Sequence, residues 1–219
     1  MRRLRAASFV SLDGVMQAPG GPEEDRTGGF AHGGWVFPFW NEELDACMEA
    51  AMGRDYDLLL GRRTYEIFAG FWPFADGAIA HAFNSAAKYV IAGPETPMTW
   101  AASDRLEGDP AEAVRTLKAG GDRDLLIQGS SEVVHAMLAA DLIDELTLLT
   151  FPIILGPGKR LFDERSRPRA WSVTSSRQLS NGVAVTTLVP GGAVQTGSFA
   201  DDSPRAAELA RRERWSREG

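Results

Sequence analysis

Short apolar runs alternate with helical patterns along most of this chain, and this alternation limits the folds open to it. Five runs have the length and composition of buried strands: residues 4–12, 57–60, 88–92, 125–128 and 145–155. Five further segments have helical signals: residues 42–52, 64–69, 79–86, 111–118 and 131–140. Runs at residues 171–178 and 183–189 flank Asn181-Gly182, a strong hairpin signal. The pattern predicts an α/β fold, in which helices cover both faces of a mixed sheet that ends in an antiparallel hairpin.

Length and charge narrow the classes of function. The 219 residues suffice for one well-packed domain, which we place at residues 1–190, followed by a linker and charged tail at residues 191–219. The net charge of −7 disfavours nucleic acid or an anionic membrane as the main partner. A single cysteine, Cys47, and three scattered histidines give no pattern of a metal site. Because no apolar stretch has transmembrane length, we expect a cytoplasmic protein.

One junction between a strand and a helix has the features of an anion site. The apolar run at residues 58–60 ends in Gly61, and Arg62, Arg63 and Thr64 follow at the start of a helix. Glycine lets a phosphate approach the backbone, the free amides of a helix N-terminus favour an anion, and guanidinium groups add charge-assisted bonds. The alternative is an ordinary strand–turn–helix junction whose arginines are solvated.

A second junction of this type lies at Gly129-Ser130-Ser131-Glu132. Its serines could donate hydroxyl groups to a phosphate as well as cap the helix, or serve as caps alone. A third glycine-rich turn, residues 152–158, follows the last long strand and could shape the wall of a cleft. Two phosphate-binding junctions in one small domain predict a dinucleotide ligand, although the G-x-G-x-x-G fingerprint is absent.

An aromatic segment, residues 35–40, closes a long loop that is rich in glycine and proline. With Trp35, Phe37 and Trp40 it is too apolar to be left in water. Long loops inside compact domains are usually functional or disordered. We therefore expect this segment to cover either a ligand or a partner subunit.

In their order and spacing, these motifs resemble the dihydrofolate reductase superfamily. The closest likeness is to the branch that contains the C-terminal reductase domain of the bifunctional riboflavin-biosynthesis deaminase/reductase. The matching pieces, over roughly residues 2–189, are Ser11-Leu12-Asp13-Gly14, the junctions at Gly61 and Gly129, and residues 152–158 with Leu161-Phe162. The resemblance implies a three-layer fold with a mostly parallel central sheet, and an NADPH-dependent oxidoreductase.

The resemblance also implies which residues bind the cofactor and the substrate. The phosphates would be held by two groups: Gly61, Arg62, Arg63 and Thr64, and Gly129, Ser130, Ser131, Glu132 and Val133. The nicotinamide side would be bordered by Leu155, Gly156 and Gly158, and the substrate cleft lined by Trp35, Phe37, Trp40 and Phe68. Ala92 and Gly93 would lie near the ribose 2′-phosphate. Because they offer it no polar side chain, the preference for NADPH over NADH depends on the two arginines.

Two carboxylates are candidates for acid/base catalysis. Asp45 lies sixteen positions before Gly61 (61 − 45 = 16), a separation like that of the pterin-binding acid in dihydrofolate reductases. Asp13 lies in the first loop, near the expected substrate. The alternatives are a solvated carboxylate in the first turn of a helix for Asp45 and a turn-forming Asp-Gly pair for Asp13.

We therefore expect an NADPH-dependent reductase of a small heterocyclic or carbonyl/imine substrate, of the dihydrofolate reductase or riboflavin-pathway type. Its partner would be that small molecule, and a homodimer is left open. The alternative is a non-catalytic nucleotide-binding or dimerisation module on the same fold.

Overall fold

The computed structural model describes residues 1–199 and 204–218, and its centre is one eight-stranded sheet. The strands are β1 (Leu4–Ser11), β2 (Tyr56–Gly61), β3 (Lys88–Ile91), β4 (Ser103–Leu106), β5 (Asp124–Gln128), β6 (Glu145–Phe151), β7 (Ala170–Gln178) and β8 (Ala184–Gly192). Across the sheet they lie in the order β4-β3-β2-β5-β1-β6-β8-β7. Neighbours from β4 to β6 are parallel, whereas β8 is antiparallel to both β6 and β7. This confirms the predicted mixed, mostly parallel sheet with its C-terminal hairpin.

Helices cover both faces of the sheet, as predicted. They are α1 (Glu42–Met52), α2 (Arg62–Phe71), α3 (Ala78–Ser85), α4 (Pro110–Ala119), α5 (Ser131–Ala139) and α6 (Ala206–Glu218). On one face, α4 and α5 pack on the strands through apolar residues such as Val114 and Met137. On the other, α1, α2 and α3 contribute Met52, Tyr65 and Phe83 to a second apolar cluster.

Capping groups fix the starts of two helices. The Asn41 side chain accepts a hydrogen bond from the Leu44 N–H at 2.8 Å and thereby caps α1. Asp109 accepts one from the Glu112 N–H at 2.9 Å and caps α4, whose first residue is a proline. Each cap satisfies a backbone donor that the helix itself leaves unpaired.

One strand and several element boundaries differ from the sequence prediction. The short strand β4 was not predicted, because its sequence Ser-Asp-Arg-Leu has no apolar run. β6 ends at Phe151 and not at residue 155, because Pro152 has no N–H to continue the ladder. α2 begins at Arg62, directly after Gly61, so both arginines lie in its first turn and not in a preceding turn.

The C-terminal segment is set apart from the sheet. α6 lies within the predicted linker and charged tail at residues 191–219, and none of its residues is buried. Residues 200–203 and 219 of that segment lie outside the described residues. Across the described ranges, no helix is both long and apolar enough to cross a bilayer.

The topology brings four strand ends to one place. β2, β5, β1 and β6 are adjacent and parallel, so their carboxyl ends meet at the same edge of the sheet. The junctions at Gly61 and Gly129 follow β2 and β5 directly. The glycine-rich loop follows β1, and the turn at residues 152–158 follows β6. In open α/β sheets this edge is where ligands bind.

Candidate functional site

The two strand-to-helix junctions touch each other. A β-carbon built on Gly61 would clash with Ser130 Oγ and lie 3.1 Å from Val133 Cγ2, so glycine is needed there for α5 to approach β2. Gly129 has a φ of +82° and Ser130 a φ of +72°. Ser130 therefore takes a left-handed conformation that usually belongs to glycine. The two junctions form one continuous surface.

The two arginines of the first junction have different surroundings. Arg62 Nη1 donates to both carboxylate oxygens of Glu66 at 3.0 Å, one turn along α2. Arg63 borders a large cavity and makes no hydrogen bond or ion pair with any described residue. Since α2 begins without a side-chain cap and without an acidic residue in its first turn, Arg63 and the free amides beside it can hold an anion.

A cavity of about 950 Å³ opens at this edge of the sheet. One wall is the double junction, which contributes five of the predicted cofactor residues: Arg63, Thr64, Gly129, Ser130 and Ser131. Another wall is aromatic, and its members are Phe9, Phe37, Trp40, Phe68, Phe71, Trp72 and Phe83. Three predicted substrate residues, Phe37, Trp40 and Phe68, are therefore brought together with the predicted phosphate site.

The fourth predicted substrate residue, Trp35, lies outside the lining of this cavity. Its ring is buried edge-to-face on Phe151, with centroids 5.2 Å apart, and its Nε1 donates to the Gln17 carbonyl at 2.8 Å. Trp35 thus fixes the glycine-rich loop against the sheet. A role in contacting substrate stays a prediction.

Several predicted cofactor residues also lie outside the lining. Gly61 is buried beneath the junction, Arg62 pairs with Glu66, and Val133 belongs to the core. Glu132 accepts two bonds from Arg165, at 3.0 and 3.1 Å, and these lower its pKa.

Ala92 and Gly93 follow β3, beyond the cavity, and the Glu95 carboxylate lies against Gly93. The end of β3 thus presents an acid where the 2′-phosphate was expected. Leu155 and Gly156 also lie outside the large cavity, and Gly158 borders a smaller one of about 370 Å³. A β-carbon on Gly158 would lie 2.7 Å from Val15 Cγ1, so this glycine serves close packing.

Asp13 joins two loops. Its carboxylate accepts hydrogen bonds from the Ser11 hydroxyl at 2.6 Å and from the Leu155 and Gly156 N–H groups at 3.1 and 2.9 Å. Burial alone would raise the pKa of Asp13, but these bonds lower it to about 2. Asp13 does not line the cavity, and a carboxylate with so low a pKa is a poor proton donor near neutral pH.

Asp45, the second predicted acid, lies in the first turn of α1 and is half-buried. Met48 and Met52 of the same helix line the cavity, but Asp45 does not. The sixteen-residue separation from Gly61 therefore does not bring this carboxylate to the cavity. Its catalytic role stays a prediction without a supporting contact.

Among the cavity residues that were not predicted are two charged ones, Glu24 and Lys159, which lie in loops. Glu24 accepts hydrogen bonds from the Gly20 and Gly21 N–H groups at 2.6 and 3.2 Å. Burial raises the pKa of Glu24 above its ordinary value of 4.5, although these two bonds offset part of the effect. Lys159 forms an ion pair with Asp25. The signal available for Glu24 was the length of the glycine-rich loop, and for Lys159 it was the glycine-rich turn at residues 152–158 directly before it.

Two buried polar atoms belong to residues that line the cavity and have no hydrogen-bond partner in the described part of the chain. They are Ser8 Oγ of β1 and Gln128 Oε1 of β5. A buried polar group without a partner is costly, and a bound ligand commonly supplies the missing bond. With Arg63 and the free helix amides, these atoms fit a ligand that is both polar and anionic, such as a dinucleotide.

Known proteins share this architecture. A family model for the RibD C-terminal domain matches residues 2–185. YyaP, an uncharacterised protein of Bacillus subtilis (strain 168), is 24% identical over 155 residues, which cover 65% of this chain and 82% of that protein.

Solved structures agree in fold. A candidate riboflavin biosynthesis protein from Shewanella sp. PV-4 superposes with a TM-score of 0.67 at 22% identity, covering 86% of this chain and 98% of that one. A pyrimidine reductase-like protein from Corynebacterium diphtheriae gives 0.59 at 14% identity, covering 86% and 92%. Dihydrofolate reductase from Enterococcus faecalis, complexed with NADP(H) and RAB-propyl, gives 0.56 at 15% identity, covering 86% and 96%. The chain therefore belongs to the RibD C-terminal domain family, on a fold that it shares with dihydrofolate reductase.

Proposed function

We propose that this protein is an NADPH-dependent reductase of a small heterocyclic or carbonyl/imine compound. The observation that carries the proposal is that one cavity is lined both by the helix junction with Arg63 and by the aromatic wall. A junction of this kind suits the phosphates of a dinucleotide, and an aromatic wall suits flat rings. The reductase-type fold of the family supports the same function.

The cofactor would be held mainly by the double junction. Arg63 and the first amides of α2 would bind one phosphate group, and Gly129, Ser130 and Ser131 would bind another at the start of α5. When bound, NADPH would supply a hydride. The aromatic residues of the cavity would orient the substrate ring and exclude water from it.

Reduction of a C=O or C=N bond also requires a proton. Three acids line the cavity: Glu23, Glu24 and Asp25. Burial raises the pKa of Glu24, so its protonated form persists to a higher pH than usual. Glu23 is mostly exposed and pairs with Arg26, while the pKa of Asp25 is lowered, since hydrogen bonds from Lys159 and Thr27 outweigh its burial. We therefore assign the proton to the carboxyl group of Glu24, which solvent would then reprotonate.

A binding titration with matched arginine variants tests the cofactor assignment. Trp40 and Trp72 line the cavity, so bound dinucleotide should quench tryptophan fluorescence. Arg63→Ala should weaken NADPH binding by roughly tenfold or more, because a charge-assisted bond to phosphate is lost. If Arg63 contacts the 2′-phosphate, the same substitution should weaken NADH binding less than NADPH binding, because NADH lacks that phosphate. Arg62→Ala is the control, since Arg62 already pairs with Glu66.

The outcomes separate the possible functions. If neither NADPH nor NADH binds at sub-millimolar concentration, the reductase proposal is wrong. Equal losses in the two arginine variants would contradict the assignment to Arg63. Binding of NADPH without oxidation in the presence of dihydrofolate, a pyrimidine riboside or simple carbonyl compounds would favour a nucleotide-binding module.

A further inference from the structure

We infer that the substrate of this cavity is an uncharged or cationic aromatic compound that carries no phosphate or carboxylate group. The inference rests on the proposed function, and it narrows the class of molecule that the reductase would accept. It follows from where the charged side chains of the cavity lie and from what already neutralises them.

Away from the phosphate junction, the described lining of the cavity has no unpaired cationic side chain. Among the described residues that line the cavity, Arg63 and Lys159 are the ones with cationic side chains. Arg63 belongs to the phosphate junction at the start of α2. Lys159 is paired with Asp25, whose carboxylate also accepts from the Thr27 N–H and hydroxyl at 3.1 and 2.6 Å. An anionic substrate would have to compete with Asp25 for Lys159.

The two cations lie at different positions along the sheet edge. Arg63 follows β2, which is adjacent to β5, whereas Lys159 follows β6. β5 and β1 separate these two strands. Lys159 is also fixed by its own N–H, which donates to Gln17 Oε1 at 3.0 Å. A dinucleotide whose phosphates occupy the junction would therefore bind Arg63. The remaining cationic side chain near the substrate would then be Lys159, which is already paired with Asp25.

An acid without a cationic partner lies in the same loop. Within the described residues, the Glu24 carboxylate accepts bonds only from the backbone of Gly20 and Gly21. In its ionised form, this half-buried carboxyl group favours a ligand that donates a hydrogen bond or carries positive charge, and it repels an anion. The remaining lining is aromatic, and it includes the stacked Phe68 and Phe83, whose centroids are 5.6 Å apart.

Matched aromatic aldehydes test this inference by calorimetry. The probes are 4-methoxybenzaldehyde, 4-(trimethylammonio)benzaldehyde, 4-carboxybenzaldehyde and 4-formylphenyl phosphate. They should be titrated into the full chain saturated with NADP⁺, which occupies Arg63 and prevents turnover. The neutral and cationic probes should bind at least roughly tenfold more tightly than the two anions, because the cavity offers those anions no free cation.

A charge variant should then reduce the preference for the neutral probe over the anionic ones. Asp25→Asn releases Lys159, so it should tighten binding of both anionic probes several-fold and leave the neutral probe unchanged. Glu112→Gln is the matched control, since it also removes one negative charge from an ion pair, but on α4 at the opposite face of the sheet. It should leave the preference as it is.

Three results would overturn the inference: anionic probes that bind as tightly as the neutral one, a neutral probe that does not bind, or equal effects of the two variants. Each of these can occur while NADP⁺ binds normally. Failure of NADP⁺ itself to bind would instead show that the proposed function is wrong.

Discussion

At the scale of single residues, the carboxylates around the cavity divide by what they bind. Asp13 is held by one hydroxyl, two backbone N–H groups and an ion pair with Arg160 at 3.4 Å, and it connects the loop after β1 to the turn after β6. Glu24 is held by two backbone N–H groups in a more buried place, and its pKa moves in the opposite direction. The first residue thus contributes to stability in its ionised form, and the second is suited to proton transfer.

Replacement of Asp13 should reduce stability in a pH-dependent way. The folded protein lowers its pKa from the ordinary value of 3.8 to about 2, so the ionised carboxylate stabilises the fold above about pH 4 and loses that effect between pH 4 and pH 2. Asp13→Asn should cost about 1–2 kcal/mol at pH 6, after allowance for partial exposure of the side chain. In thermal unfolding, the midpoint of the variant should be lower than that of the unsubstituted protein at pH 6, and the two midpoints should nearly coincide at pH 2.

Asp45→Asn is the control for that measurement, since the Asp45 side chain makes no hydrogen bond or ion pair with a described residue. A drop in midpoint as large as that of Asp13→Asn would contradict the stabilising role given to the Asp13 contacts.

Replacement of Glu24 should change the pH profile of reduction. Its pKa is raised, so the proton-donating form persists to a higher pH than usual, and kcat/KM should fall as pH rises through that pKa. Glu24→Gln should remove this descending limb and lower the plateau at low pH by roughly 100-fold. NADPH binding should be retained. Glu23→Gln is the control, since Glu23 is adjacent but pairs with Arg26, and this variant should keep the descending part of the pH profile. Its loss in Glu23→Gln would instead identify Glu23 as the proton donor.

At the scale of elements, apolar periodicity predicted seven of the eight strands and the helices on both faces. The exception, β4, pairs only with β3 at the edge of the sheet, where a short polar strand needs no buried face. The phosphate junction was also predictable, because glycine, arginine and helix-start signals are local. The positions of Asp45 and Glu24 were not, because they depend on the direction of a helix face and on the path of a long loop.

The contact between the two junctions can be tested by a double-mutant cycle. Gly61→Ala should destabilise the fold by about 1–3 kcal/mol, because its β-carbon clashes with Ser130 Oγ. Ser130→Gly removes that oxygen and relieves the left-handed serine, so it should recover a substantial part of the loss. Urea unfolding of the four proteins measures the coupling.

Gly70→Ala in α2 is the control for that cycle, since a β-carbon there has no atom within 4 Å. It should be neutral or stabilising, as expected for alanine in a helix. If the changes in unfolding free energy for Gly61→Ala and Ser130→Gly simply add, the predicted steric contact between positions 61 and 130 is absent.

At the scale of the whole molecule, the cavity is built from segments that are far apart in the chain. Its lining extends from Ala7 in β1 to Lys159 after β6, and the loop between β1 and α1 contributes both aromatic and acidic residues. The hairpin of β7 and β8 contributes none of the described lining residues. The described cavity lining is therefore separate from the hairpin, and α6 has no buried residues.

The central place of β1 has a consequence for how the protein is made. β1 precedes the other described strands in the sequence and pairs only with β5 and β6, in registers such as Leu4 with Leu125 and Ser11 with Phe151. Neither partner exists until more than half of the chain has been synthesised. Contacts of such large sequence separation slow folding and leave apolar segments exposed meanwhile. During translation, β1 thus waits for both of its neighbours while its apolar side chains stay exposed.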